Sequence, residues 1–354
     1  MNIKLFEKIY REISYQTSRR NIPSIFNYWE FLNRRLYNHT DYMCSNEFYG
    51  LEYILARYSG YKKKIRCATE HSVALGDYRN EFETVENSSP VLLTTSKSRA
   101  KFLEDVTDKI IIPVSVWTAY AKNNYSEFEL DAIKESLGKT LVIFPQHSVY
   151  HCKYISDTEG FIRYVNKIKK RFDYDSVLAC VYYWDIEHGL HTRYEQAGFT
   201  VVTAGRQENF DFLDNLVTIL SFADAVISQG YSSAVLYAGY YGIPINIVYE
   251  EIKTFGDEES DIKNQHGLGI AEKEVVDSFL DFSEVYSEKQ RELIEKIVDR
   301  KAIKNANEMR LIFEFTDELM KASCKSRQHI ANKKKYITVY SDAFNLDMEK
   351  KKES

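Results

Sequence analysis

Three short stretches of the chain carry residue types that grip phosphate. Phe144-Pro145-Gln146-His147-Ser148 supplies imidazole and hydroxyl donors, and Ala204-Gly205-Arg206 supplies a glycine through which backbone can approach a flat ring. Gly230-Tyr231-Ser232-Ser233 supplies a glycine and two hydroxyls just before helix-spaced apolar residues at Val235, Leu236 and Tyr240. Free N–H groups at the start of such a helix sit at its positive end, where an anion is stabilised. Each stretch alone has a plain structural explanation, because a histidine after a strand often serves packing and a Ser-Ser pair often caps a helix. The three together point to one anion site.

What must position them is a sheet. The β-rich runs at 140–144, 176–183, 200–203, 225–228 and 245–249 alternate with helix-spaced segments such as 160–171. Such alternation predicts a doubly wound parallel sheet with right-handed crossovers. The three stretches follow its first, third and fourth strands, so they share the carboxyl edge where ligands of open α/β sheets bind. Upstream, runs at 64–69, 91–95 and 109–112 predict a smaller α/β unit, preceded by helix-like spacing over the first sixty residues. Glu70 and His71 follow the first of these strands. The expected organisation is an α/β unit over 1–137 with a helical start, a Rossmann-like unit over 138–270, helices over 271–330 packing back toward the first unit, and a basic tail over 331–354.

Composition removes several classes. The 354 residues hold 47 Lys+Arg against 52 Asp+Glu, an acidic balance that argues against wholesale nucleic-acid binding. Five cysteines (Cys44, Cys67, Cys152, Cys180, Cys324) are an odd number without a CxxC pair, which favours a reducing, cytoplasmic setting over a disulfide framework. No apolar run is long enough to span a bilayer, and the first residues lack a signal-peptide core. The expectation is a cytoplasmic protein, with Lys333-Lys334-Lys335 leaving room for peripheral contact with the inner membrane. The pairs His147/His151 and His188/His191 have metal-ligand spacing, but no HExxH and no placed cysteine joins them, so no metal is expected.

The order FPQHS, YE-x-x-GF-x-VVTAG, ADAVIS and G-x-SSAVLYAGYYGIP, over about 138–250, resembles the donor-binding domain of GT-B glycosyltransferases of bacterial surface-polysaccharide assembly. The histidine loop and serine pair are similar to those of the CMP-sugar users, the Kdo and sialyl transferases, although those families place a proline after the histidine and here Pro145 precedes it. The resemblance implies two Rossmann-like domains facing a cleft. It also implies a nucleotide-sugar donor, with CMP-Kdo or another CMP-ulosonic acid the best guess, and a polysaccharide or lipid-linked glycan acceptor. The donor phosphate would lie on His147, Ser148, Gly205, Gly230, Ser232 and Ser233, without metal or cofactor. Glu70 is the expected general base, facing the cleft, with His71 as its substitute or as an acceptor contact. Asp185 would be a second acid or an acceptor contact, or else a helix cap. Alternatives on the same scaffold are a UDP-sugar transferase, a nucleotide-sugar 2-epimerase, and a non-catalytic module that binds a glycan or a protein.

Overall fold

The computed structural model describes residues 22–33, 46, 48–76, 78–148, 153–249, 253–255 and 269–322. The helix-like spacing expected over residues 1–20, the lysines of the tail, His151, Cys44, Cys152 and Cys324 lie outside the described residues.

Two parallel sheets form, as expected of an α/β chain. The first joins β1 (Ala68–Thr69), β2 (Val91–Thr94) and β3 (Ile110–Pro113) in the order β1-β2-β3. The second is built from β4 (Thr140–Phe144), β6 (Ser176–Cys180), β7 (Thr200–Val202), β8 (Ala225–Gln229) and β9 (Ile245–Val248). Its order is β7-β6-β4-β8-β9, with every neighbouring pair parallel. The strand order therefore reverses between β4 and β8, where crossovers pass from one face of the sheet to the other. An antiparallel pair that the sequence does not announce, β5 (Lys153–Ile155) with β10 (Lys253–Phe255), stands apart from both sheets.

Strand periodicity sorts the second sheet into two faces. Leu141, Ile143, Val177, Ala179, Ala225 and Ile227 pack with Phe161, Val165 and Ile168 of the Thr158–Arg171 helix. Val142, Phe144, Leu178 and Val226 point the other way, into a core continuous with Ile54 and Leu55 of the first part of the chain and with Met309 and Phe313 of the Ala306–Lys321 helix. That last helix rests on the Leu51–Ser59 helix. The Tyr61 hydroxyl donates to Asp317 Oδ2 at 2.7 Å, and the Tyr61 ring lies 5.4 Å from that of Phe313. Across the interior, Arg57 clamps the buried Asp214 carboxylate at 2.5 and 2.8 Å.

The expected strand over 64–69 shrinks to two residues, and side chains explain why. Asn46 Nδ2 donates to the carbonyls of Ile65 and Cys67 at 3.2 and 2.8 Å, Glu52 accepts from Ile65 N, and Ser89 Oγ accepts from Ala68 N. Groups that would form a ladder are satisfied before a partner strand reaches them.

Candidate functional site

The ends of β4 and β8 lie side by side, since Phe144 pairs with Ser228 in register. Each strand then opens into one of the predicted stretches. Beyond β4, Gln146 N donates to Gln229 Oε1 at 3.3 Å, tying the histidine loop to the last residue of β8. The half-buried His147 ring stacks at 4.4 Å on Tyr182, just past β6, and its Nδ1 lies 3.3 Å from Ser148 O. Burial holds the imidazole below the usual histidine range, and the contact with Ser148 O offsets this in part.

Beyond β8, Gly230 has φ +84° and spends its N–H on Val248 O at 2.9 Å, so it shapes the turn and its amide is engaged. Ser232 occupies the cap position of the Ser233–Tyr240 helix yet makes no capping bond, and its hydroxyl lies 3.4 Å from Ser228 Oγ. Its side chain is thus not consumed by the helix, which leaves hydroxyl and amide groups of the turn for an anion.

The first sheet meets this edge with its own carboxyl-end loop. Val73 N donates to Ser233 Oγ at 3.2 Å, and Tyr231 OH donates to Val73 O at 3.3 Å. Two residues earlier, His71 Nε2 lies 3.2 Å from Tyr49 OH, and Tyr49 N donates to Gln207 O at 2.6 Å. Gln207 in turn accepts from Tyr182 OH at 3.1 Å. These links close a ring: Gln146 and His147, Tyr182, Gln207, Tyr49, His71 to Val73, Tyr231 and Ser233, then Gln229 back to Gln146. It encircles the point where the strand order reverses. Nothing in the sequence singles out Tyr49, Tyr182 or Gln207, and 27 tyrosines give no contrast.

Glu70 is corrected. It does not face this ring. Arg99 Nε and Nη2 hold Glu70 Oε1 at 2.8 and 2.7 Å, and Thr94 Oγ1 donates to Oε2. Carboxylate and guanidinium are both almost wholly buried. Arg99 also donates to Gly76 O and Tyr78 O at 2.9 and 2.5 Å. With both oxygens engaged and both side chains buried, the carboxylate anchors the loop after β1.

Asp185 is placed differently from each expected role. It neither caps its helix, which begins after Tyr182, nor opens to the cleft, being 5% exposed. Its carboxylate accepts from Ser148 N at 3.2 and 3.4 Å, so it fixes the histidine loop from beneath. Burial raises its pKa to about 6, against a lesser lowering by the Ser148 N–H. The folded state thus holds this proton more tightly than the unfolded chain does. The associated stability is complete below about pH 3.8 and is lost as pH rises through about 6. Asp185→Asn, which keeps an acceptor for Ser148, is therefore expected to gain on the order of 1–3 kcal/mol relative to the parent between pH 5 and pH 8. Denaturation of both proteins at the two pH values checks this; an equal difference at each would sink it.

Gly205 is also not open to a ligand here. It has φ +94°, and a Cβ built on it would lie 2.4 Å from Asn209 Nδ2 and 3.5 Å from Phe31, so the chain's own side chains fill the approach. Of the histidine pairs, His188 Nδ1 engages Trp184 O at 2.7 Å while His191 is buried beside Tyr28 and Trp29. Among the described residues no group of three or more His, Cys, Asp or Glu could hold a metal ion, and no helix is long and apolar enough to cross a membrane.

No family model and no curated protein matches the chain. Among solved structures it is similar to a co-structure of S. aureus MnaA with UDP, at 10% identity and TM-score 0.36 over 66% of this chain and 60% of that one. It is similar to a variant of the wall teichoic acid polymerase TagF at 15% identity and TM-score 0.42, over 73% and 69%. The corresponding values for an α,α-trehalose 6-phosphate synthase from Burkholderia multivorans are 7%, 0.29, 64% and 59%. The chain thus spans about 60% of the first and third of these proteins. Values this low assign neither activity nor ligand to it.

Proposed function

We propose that the chain is a GT-B glycosyltransferase that moves a sugar from a nucleotide donor to a glycan acceptor, a polysaccharide or a lipid-linked oligosaccharide. The observation that carries this reading is the ring around the β4/β8 reversal, the place where open α/β sheets bind nucleotides. On one side stands a phosphate-binding turn, and on the other a loop from the facing sheet. The donor phosphate rests on Ser232, Ser233 and His147. Ser233 Oγ accepts from Val73 N and keeps its own proton for a phosphate oxygen.

The acceptor approaches from the first sheet. Its hydroxyl oxygen attacks the anomeric carbon, the carbon–oxygen bond to the phosphate breaks, and the electron pair leaves on the phosphate oxygen. The hydroxyl proton passes to His71, which burial keeps neutral and able to accept it. Fixed dipoles of the helix start stabilise the leaving phosphate, with no metal or cofactor in the scheme.

The donor we infer is a CMP-ulosonic acid, on the likeness of the histidine loop and serine pair to those of CMP-sugar users. Calorimetry with CMP and with UDP, without metal, tests both levels. CMP is expected to bind the more tightly, and His147→Ala with Ser233→Ala to weaken it by ~10–100-fold through lost hydrogen bonds to a charged group. Tighter UDP binding would move the assignment to a UDP-sugar enzyme, and epimer formation from UDP-N-acetylglucosamine without acceptor would make it a 2-epimerase. No binding of either nucleotide would leave a non-catalytic module.

A further inference from the structure

We propose that Tyr49 is the positioning residue that presents His71 to the acceptor: its phenol oxygen accepts the Nε2 proton of His71 and leaves the Nδ1 lone pair to take the acceptor's proton. The inference rests on the transferase reading given above. It begins from the 3.2 Å contact between Tyr49 OH and His71 Nε2. Nδ1 of the same ring has no hydrogen-bond partner among the described residues, and His71 N is held separately by Glu83 Oε1 at 2.6 Å. A base whose second nitrogen donates to a fixed oxygen is locked in one tautomer, and the imidazolium formed on proton uptake is stabilised at that oxygen.

Tyr49 is fixed well beyond what packing requires. Among the described residues it is one of the few non-glycine residues with positive φ, at 61°, and Ser72 beside His71 is another, at 66°. Such backbone persists only where the surroundings over-determine it, and it collects at sites with a task. Three anchors hold Tyr49 there. Its N–H donates to Gln207 O, its ring lies 4.8 Å from Phe212, and Gly50 follows it so tightly that a Cβ would come within 2.0 Å of Phe210 O. Burial pushes its phenol up to about 12, so it remains a neutral partner across the working range. The carboxylates beside His71 in the loop are Glu83, engaged with its main chain, and Glu70, paired with Arg99, while Glu208 and Tyr183 act on Tyr49.

Two readouts on the full chain test the inference, one of them independent of turnover. In histidine-labelled protein, NMR should find His71 as the Nε2-protonated tautomer. Tyr49→Phe, which retains ring and backbone, should give mixed tautomers and a lower titration midpoint. In transfer assays the same variant should lose ~10–100-fold in kcat with donor KM unchanged, and the acid limb of its pH profile should move to lower pH. An Nδ1-protonated ring in the parent, or an unmoved tautomer and midpoint in Tyr49→Phe, would overturn the role of Tyr49, and a loss of turnover in His71→Ala would then leave the base assignment standing alone. Full turnover in His71→Ala overturns base and positioning residue together. The absence of any nucleotide binding removes the transferase reading itself.

Discussion

His71→Ala is expected to lower turnover by ~10²–10⁴-fold, the usual contribution of a positioned general base, while nucleotide affinity stays within a few fold. The separation follows from geometry. His71 lies on the loop of the first sheet and contacts Tyr49, whereas Ser232, Ser233 and His147, the groups proposed to hold the phosphate, follow strands of the second sheet. On the proposed mechanism, deleting the imidazole removes a proton acceptor needed only as the anomeric bond breaks. Single-turnover transfer with the donor that calorimetry selects, together with nucleotide titration, measures the two effects separately. A parallel fall in affinity would mean that His71 contacts the donor. Unchanged turnover would send the proton elsewhere. Glu208 is then the first carboxylate to try, since it accepts from Gln207 Nε2 at 3.3 Å beside the ring.

The sheet and its carboxyl edge were legible because hydrophobic runs and helix-spaced segments report directly on strand–helix alternation. That suffices to put His147, Ser148, Gly230, Ser232 and Ser233 at one edge from the sequence alone. Strand order was not legible, since pairing joins segments far apart in the chain; β4 pairs with β8, some eighty residues on. The ring failed to appear for the same reason. Val73 meets Ser233 across 160 positions, and Tyr49 reaches His71 across 22. The surroundings of Glu70 are not legible in the sequence, because position at a strand end does not give side-chain contacts. Its partner, 29 residues later, lies on the Lys97–Val106 helix, where a lone arginine looks like ordinary surface charge until the helix docks on the sheet. The ladder-replacing bonds of Asn46 and Ser89 were equally invisible, because they depend on which backbone groups come within reach.

The buried pair gives the second large effect, in stability. Arg99→Met is expected to cost about 3–5 kcal/mol, because it leaves the Glu70 carboxylate buried with Thr94 as its remaining partner and frees the carbonyls of Gly76 and Tyr78. Adding Glu70→Leu should recover most of that loss, since two apolar side chains avoid the desolvation that the unpaired charge suffers. Denaturant titration of parent, single and double variants reads the cycle directly. A further variant, Glu70→Gln, separates the two roles considered for Glu70. As a general base it would lower turnover per folded molecule when changed to Gln and leave stability nearly intact. As the anchor of the loop between β1 and Tyr78 it does the reverse, and Glu70→Gln should shift the unfolding midpoint while folded protein binds nucleotide as before. A destabilisation below about 1 kcal/mol in Arg99→Met would show that the pair is solvated, and the carboxylate would again be free to face a reactant.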